Sequence, residues 1–333
     1  MAAFDQPRTG ALPRILALPG VRTFRSRRFR ELAAVGLWAI GLVLLGKALA
    51  AQVADPAGQF AIDFADYHGA AQEILAGRTP YAPAMLEGPV PSQGQGAYRY
   101  PPPFAQLLAP LAALPLVVAA WLWLALQAVL IITSVWLAGS HGGAAPSRER
   151  FLWSGVAATY FLPAFDALWK GNVSGILAFL VAVLAGGRFR GGLALAGAVL
   201  LKVSPVALVP TVVVGGAAGR RRELAGLAAG TAAIVVPSFL LSPGAWRDYG
   251  RVLPNLLAGS VDYLTNLAPA TLLATRLPGA VGLVGPVRLV TVAAGLFTVL
   301  VAAWLARRPD GWHAAVTAGV VAMLVLPSSI WYH

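Results

Sequence analysis

The sequence predicts an all-α polytopic membrane protein, on three observations. Of 333 residues, 58% are hydrophobic and only 11% are charged, against about a quarter charged in an average soluble domain. Such a chain cannot cover a water-facing surface, so the solvent it fits is lipid. Several apolar runs approach or exceed the ~20 residues that a helix needs to cross a bilayer. The short alternating segments of a membrane β-barrel are not found.

The net charge of +12 does not point to nucleic acid. The cations sit in short clusters between apolar runs, the pattern of the positive-inside rule, and no nucleic-acid partner is expected. With no cysteine, a disulfide framework and a thiolate metal site are excluded. His68, His141, His313 and His333 show no metal-ligand spacing. Neither a metal nor a cofactor is expected.

The elements follow in order. Residues 1–30, with Arg22, Arg25, Arg27, Arg28 and Arg30, form a basic cytoplasmic segment. They lack a short apolar core with a cleavage site, so the first span, 31–51, is a retained anchor. Residues 31–333 read as a single transmembrane domain. The first extracytoplasmic loop covers 52–115 and contains interfacial pieces. Within it, "PPFAQLLAPLAALP" (102–115) is too short to span and is bounded by proline.

The run 116–139 returns to Arg148 and Arg150, and 151–166 goes out again. Asp166, Lys170 and Asn172 make a tight outer turn, and 173–187 comes back to Arg188 and Arg190. Residues 191–219 have cations on both flanks, so they cross twice or not at all. A pair of half-helices fits, with Lys202 and Pro205 at the tip, at membrane depth. The run 223–241 exits into a second outer loop, 242–286, with an amphipathic piece at 246–257. The run 287–306 returns to Arg307 and Arg308, and 312–327 exits. The expectation is about seven full spans plus short half-spanning or re-entrant helices. No internal repeat or soluble domain boundary is present.

This topology gathers the polar groups on the outer face. "AIDFADYHGAAQEILAGRTPY" (61–81) holds Asp63, Asp66 and Glu73 in a chain with 13 acidic residues. A carboxylate at a membrane rim beside apolar surface suits a general base acting on a lipid-linked substrate. Aspartate is also a preferred helix N-cap, and Asp63 precedes Phe64, near which a helix begins. Both roles stay open on the residues alone. "AYRYPPPF" (97–104) carries Arg99 and Tyr100 in a proline-stiffened aromatic segment; it reads as an interface anchor or a substrate-shaping loop. Lys202 lies in an apolar run, where an ammonium needs a cavity and an anionic partner, either a carboxylate or a lipid phosphate. Trp331 suits an interface anchor, and His333 ends the chain.

These motifs, in order, resemble glycosyltransferase family 87, the polyprenol-phosphate-mannose-dependent α-mannosyltransferases of bacterial membranes. The resemblance rests on Asp63, Phe64, Tyr67, Gly77, Pro80 and Tyr81; on Tyr100, Pro101 and Pro102; on Gly171 and Asn172; on Lys202 and Pro205; and on Trp331 and His333. It implies the GT-C architecture, and an inverting transfer of mannose from a β-linked polyprenyl-phosphate donor to a glycan or glycolipid acceptor. It implies Asp63 as the general base, on the outer face of a bacterial cytoplasmic membrane. Tyr67, Arg99, Tyr100, Asn172, Lys202, Trp331 and His333 are expected to bind substrate. Lys202 and Arg99 are the cations expected to neutralise the leaving phosphate, with His333 a further donor. Asp66 falls where the family pattern is apolar and receives no role, and Glu73 reads as a solvated face residue. Family members continue with further spans after the Trp-x-His motif, so C-terminal spans are expected to be missing from this chain. The rival reading is a multi-spanning transporter or lipid flippase, which also suits broken helices with a buried lysine.

Overall fold

The computed structural model describes residues 26–55, 60–88, 98–141, 147–258 and 269–326, and among them every regular element is a helix. Helix α1 (Arg27–Ala54) starts at Ser26, whose hydroxyl accepts from the Phe29 N–H at 3.2 Å. Its 28 residues reach about 42 Å at 1.5 Å per residue, enough for a hydrocarbon core of ~30 Å. Four short helices fill the first polar region: α2 (Ile62–Leu75), α3 (Pro83–Glu87), α4 (Pro102–Leu107) and α5 (Ala109–Ala112). Helix α6 (Leu116–His141) is again long and apolar.

Helices α7 (Arg148–Tyr160) and α8 (Leu162–Lys170) meet at an angle of 71°. Pro163 accounts for the break, because its ring collides with the carbonyl four residues back and it has no N–H to give. The run expected as one straight span is therefore bent. Helix α9 (Ser174–Ala185) follows, then α10 (Arg188–Leu201), a 3-10 turn (Ser204–Leu208) and α11 (Val209–Ala217). Here the expected pair of half-helices is found. Lys202 sits at the break in extended backbone, with φ −150° and ψ 140°, and Pro205 opens the turn beyond it.

The remaining helices are α12 (Arg221–Leu241), α13 (Pro243–Ala258), α14 (Pro269–Arg276), a 3-10 segment (Pro278–Leu283), α15 (Val284–Ala306) and α16 (Trp312–Val325). Helix α13 is the amphipathic piece expected in the second outer loop.

Among the described residues, α1, α6, α12 and α15 are long and apolar enough to cross a membrane, and the bent α7–α8 pair makes five. The two other runs read as full spans form shorter helices. Helix α9 has 12 residues and α16 has 14, about 18 and 21 Å long. Helix α9 is cut short by the Gly171–Asn172 turn before it and by Gly186–Gly187 after it. Gly187 takes φ +67°, a left-handed conformation that glycine adopts without strain. These ends agree with the run read as 173–187; what differs is that a helix of this length falls short of a full span.

Large apolar side chains such as Leu32, Ile40, Val129, Leu240, Leu289 and Phe297 are exposed, the pattern of a lipid-facing surface. Lipid offers no hydrophobic drive between helices, so close packing of small residues takes its place. Helices α10 and α12 show this. A Cβ on Gly192 would overlap the Glu223 carbonyl oxygen, and one on Gly226 the Phe189 carbonyl oxygen. Beside this crossing the buried Glu223 carboxylate accepts the Arg188 N–H at 2.8 Å and a contact from Arg220 at 3.4 Å. The Arg220 guanidinium also stacks over Trp312 at 4.6 Å.

Candidate functional site

The site is built where α2 meets the turn between α8 and α9. The α8 helix ends at Gly171, which takes φ +73°. A Cβ there would stand 2.6 Å from the Phe64 Cβ. Glycine is thus required twice, for its backbone angle and for the approach of α2. The Trp123 indole N–H closes the turn by donating to the Gly171 carbonyl at 2.8 Å, and its ring stacks on Phe64 with centroids 5.4 Å apart.

From the other side, Ala61 precedes α2 with φ 55°, a left-handed angle that a non-glycine residue adopts at about 1–3 kcal/mol. Its N–H donates to the Trp169 carbonyl at 2.7 Å. The start of α2 is thereby tied to the end of α8. The helix begins at Ile62, two residues earlier than an aspartate cap would require, and Ala61 holds the N-cap position without a side-chain bond. Asp63 is therefore not the cap. It lies in the first turn, half-buried, and turns its carboxylate to Asn172.

The Asn172 Nδ2 donates to Asp63 Oδ2 at 2.7 Å. The Asn172 Oδ1 accepts from the Ser174 N–H at 3.1 Å and from the Ser174 hydroxyl at 2.7 Å. Asn172 is only 4% exposed, so its amide is used up within the protein. No described residue donates to Asp63 Oδ1. Lys202 attracts the same carboxylate electrostatically from the break between α10 and the 3-10 turn.

One helical turn beyond Asp63, the Tyr67 hydroxyl meets the Tyr100 hydroxyl at 2.9 Å. Burial first, then the charges of Tyr100 and Asp63, pushes the Tyr67 phenol well above its ordinary 10.0. Burial and then Asp63 push Tyr100 up as well, so both remain neutral donors. Asp66 adds to the negative potential on both phenols, and Arg99 opposes it at Tyr100. The Tyr81 hydroxyl donates to the Tyr100 carbonyl at 2.9 Å, and the Tyr98 hydroxyl links the Pro101 carbonyl and the Ala105 N–H. The 98–104 segment is thus folded into the protein by its own aromatic residues. His68 Nε2 bonds the Leu114 carbonyl at 3.1 Å.

Of the residues singled out in the sequence, Asp63, Tyr67, Arg99, Tyr100, Asn172 and Lys202 converge here. Trp331 and His333 lie outside the described residues. Glu73 stands apart, half-buried and paired with Arg78, whose hydrogen bond holds its carboxyl below the usual range. Ser174, Trp123 and Gln127 are additions. Gln127, 1% exposed, accepts the Ile176 N–H at 3.1 Å. The Asn-x-Ser order at the head of an apolar run was a readable signal of local side-chain bonding. Trp123 and Gln127 give no such signal.

Chemically, the site offers a carboxylate with one oxygen held by Asn172 and the other without a donor among the described residues. Beside it are a cation and neutral phenols, on a polar segment next to membrane-crossing helices. A model of glycosyltransferase family 87 matches residues 98–327. No curated protein and no solved structure matches the chain. The matched stretch includes Tyr100, Asn172 and Lys202; Asp63 lies before it and is joined to it by Asn172.

Proposed function

Because the chain belongs to glycosyltransferase family 87, we propose that it is a membrane-embedded inverting transferase using a polyprenyl-phosphate sugar, namely mannose. The acceptor is a hydroxyl of a glycan or glycolipid. The observation that carries the assignment of the base is the Asn172–Asp63 hydrogen bond. It ties a carboxylate outside the matched stretch to a buried residue within it.

In this reading the acceptor hydroxyl approaches Oδ1 of Asp63. As its oxygen bonds to the anomeric carbon, its proton passes to the carboxylate. The bond between that carbon and the phosphate oxygen breaks in the same step, as in a one-step inverting displacement with a sugar alcohol in place of water. Polyprenyl phosphate leaves with the electron pair. It is already a good leaving group and needs cations rather than a general acid. Lys202 and Arg99 supply positive charge where negative charge develops. Tyr67 and Tyr100, kept neutral, shape the polar wall. Trp331 and His333 complete the set from the end of the chain. The basic clusters support an orientation with the N-terminus in the cytoplasm and the site on the outer face of a bacterial inner membrane.

The test is reconstitution with polyprenyl-phosphomannose and membrane acceptors, wild type against Asp63→Asn. Loss of transfer with retained folding supports the base; full transfer by the variant removes it. Movement of lipid without sugar transfer would favour the transporter reading, which no observed feature supports better.

A further inference from the structure

The orientation of a carboxylate is only as good as the group that holds it, and here that group is an amide with two possible faces. The Asn172 oxygen accepts two hydrogen bonds from Ser174, one from its N–H at 3.1 Å and one from its hydroxyl at 2.7 Å. These leave only the NH₂ face for Asp63, whose Oδ2 it meets at 2.7 Å. Turning the amide over would set its oxygen against a carboxylate and its NH₂ against the Ser174 N–H, two mismatches at once. With Asn172 4% exposed, water cannot repair either. The turn holding Asn172 is itself fixed by Trp123 on the Gly171 carbonyl and by Gln127 on the Ile176 N–H.

We infer that Ser174 is a positioning residue for the transfer reaction. It fixes the Asn172 amide, and Asn172 points Oδ1 of Asp63 at the acceptor rather than binding sugar itself. The inference rests on the reading of Asp63 as the base. Ser174 touches no reacting atom. Its effect is on the geometry of proton removal, and so on the chemical step. A misplacement of ~1 Å at a reacting group can cost on the order of 100-fold, and losing one of two bonds to Asn172 is a part of that.

The test uses the full chain in two arms. In the first, asparagine side chains are labelled with ¹⁵N. The sequence holds three, Asn172, Asn255 and Asn266, and Asn172→Ala assigns the pair of interest. The Asn172 amide signals should move both in Asp63→Ala and in Ser174→Ala, while the other two pairs stay in place. In the second arm, transfer is assayed with polyprenyl-phosphomannose. Ser174→Ala should lower kcat about 10-fold with the donor KM unchanged, and Ser174→Thr, which keeps the hydroxyl, should restore it. An Asn172 pair that does not move in Ser174→Ala overturns the inference. So does a raised KM with kcat intact, which would make Asn172 a binding residue. Full transfer by Asp63→Asn would overturn the base instead, and the amide signals then decide the role of Ser174 alone.

Discussion

Asn172 and Asp63 lie 109 positions apart in the chain and meet at 2.7 Å, amide nitrogen to carboxylate oxygen. Removing the amide should cost both stability and rate. Loss of the donor to a half-buried carboxylate costs about 1 kcal/mol, the low end of the range for a buried acceptor. Asn172→Ala is expected to lower the unfolding temperature modestly and sugar transfer by one to two orders of magnitude. Thermal unfolding in detergent and a radiolabelled transfer assay check the two separately. An unchanged rate would detach Asn172 from the chemistry.

Gly171→Ala tests the backbone beneath that contact. The added methyl carbon would fall 2.6 Å from Phe64 Cβ at φ +73°, combining a clash with a disfavoured angle. A loss of about 2–4 kcal/mol is expected from these two sources, read as an earlier midpoint in denaturant. Gly77→Ala is the control: its φ is also +73°, but nothing lies within 4 Å of a Cβ there. It should cost only the angular part.

Lys202 is the cation acting on Asp63 from the break between two half-helices. Lys202→Met keeps much of the volume and deletes the charge. If the ammonium meets the leaving phosphate, kcat/KM for the lipid-linked donor should fall on the order of 100-fold. Lys202→Arg should retain more. Initial rates across donor concentration decide it, and equal rates for Met and Lys would leave Lys202 a structural partner only.

The tyrosine cluster sets an alkaline limit. Tyr67, Tyr81, Tyr98 and Tyr100 are all pushed up by burial, and burial lifts Tyr249 to about 12. A phenol with a raised folded value contributes its full stability below the unfolded value of 10.0 and loses it as pH rises above. Stability should therefore hold up to about pH 10 and decline beyond it. Ultraviolet absorbance of tyrosinate against pH, folded and unfolded, checks this. Early ionisation of the whole set in the folded protein would contradict the burial.

Much of the scaffold was legible in the residues. Helices α1, α6, α12 and α15 appear as uninterrupted apolar runs, and cations on both flanks of 191–219 gave the paired half-helices with Lys202 at their break. What hydropathy missed was local backbone chemistry. Pro163 bends one span without changing the mean hydropathy of its run, and the 173–187 run, whose bounds were legible, is a helix too short for the full span it was read as. At the site, Lys202 was legible as a charge where lipid was expected, and Asp63, Tyr67, Arg99 and Tyr100 as motif residues of the first polar outer loop. The work of Asn172 was not, because its partner is set by a tertiary contact over 109 positions. Trp123 and Gln127 were invisible for a related reason. An indole or amide inside an apolar helix shows its purpose only through the backbone group it meets on another segment.

Helix α2 is fastened along its length. Ala61 is bonded to Trp169, Asp63 to Asn172, Tyr67 to Tyr100 and His68 to Leu114. A segment anchored at so many points is an anvil and not a jaw. In the mechanism proposed for Asp63, the travelling parts are then the two substrates, each delivered to a fixed carboxylate, and selectivity resides in which acceptor can reach it.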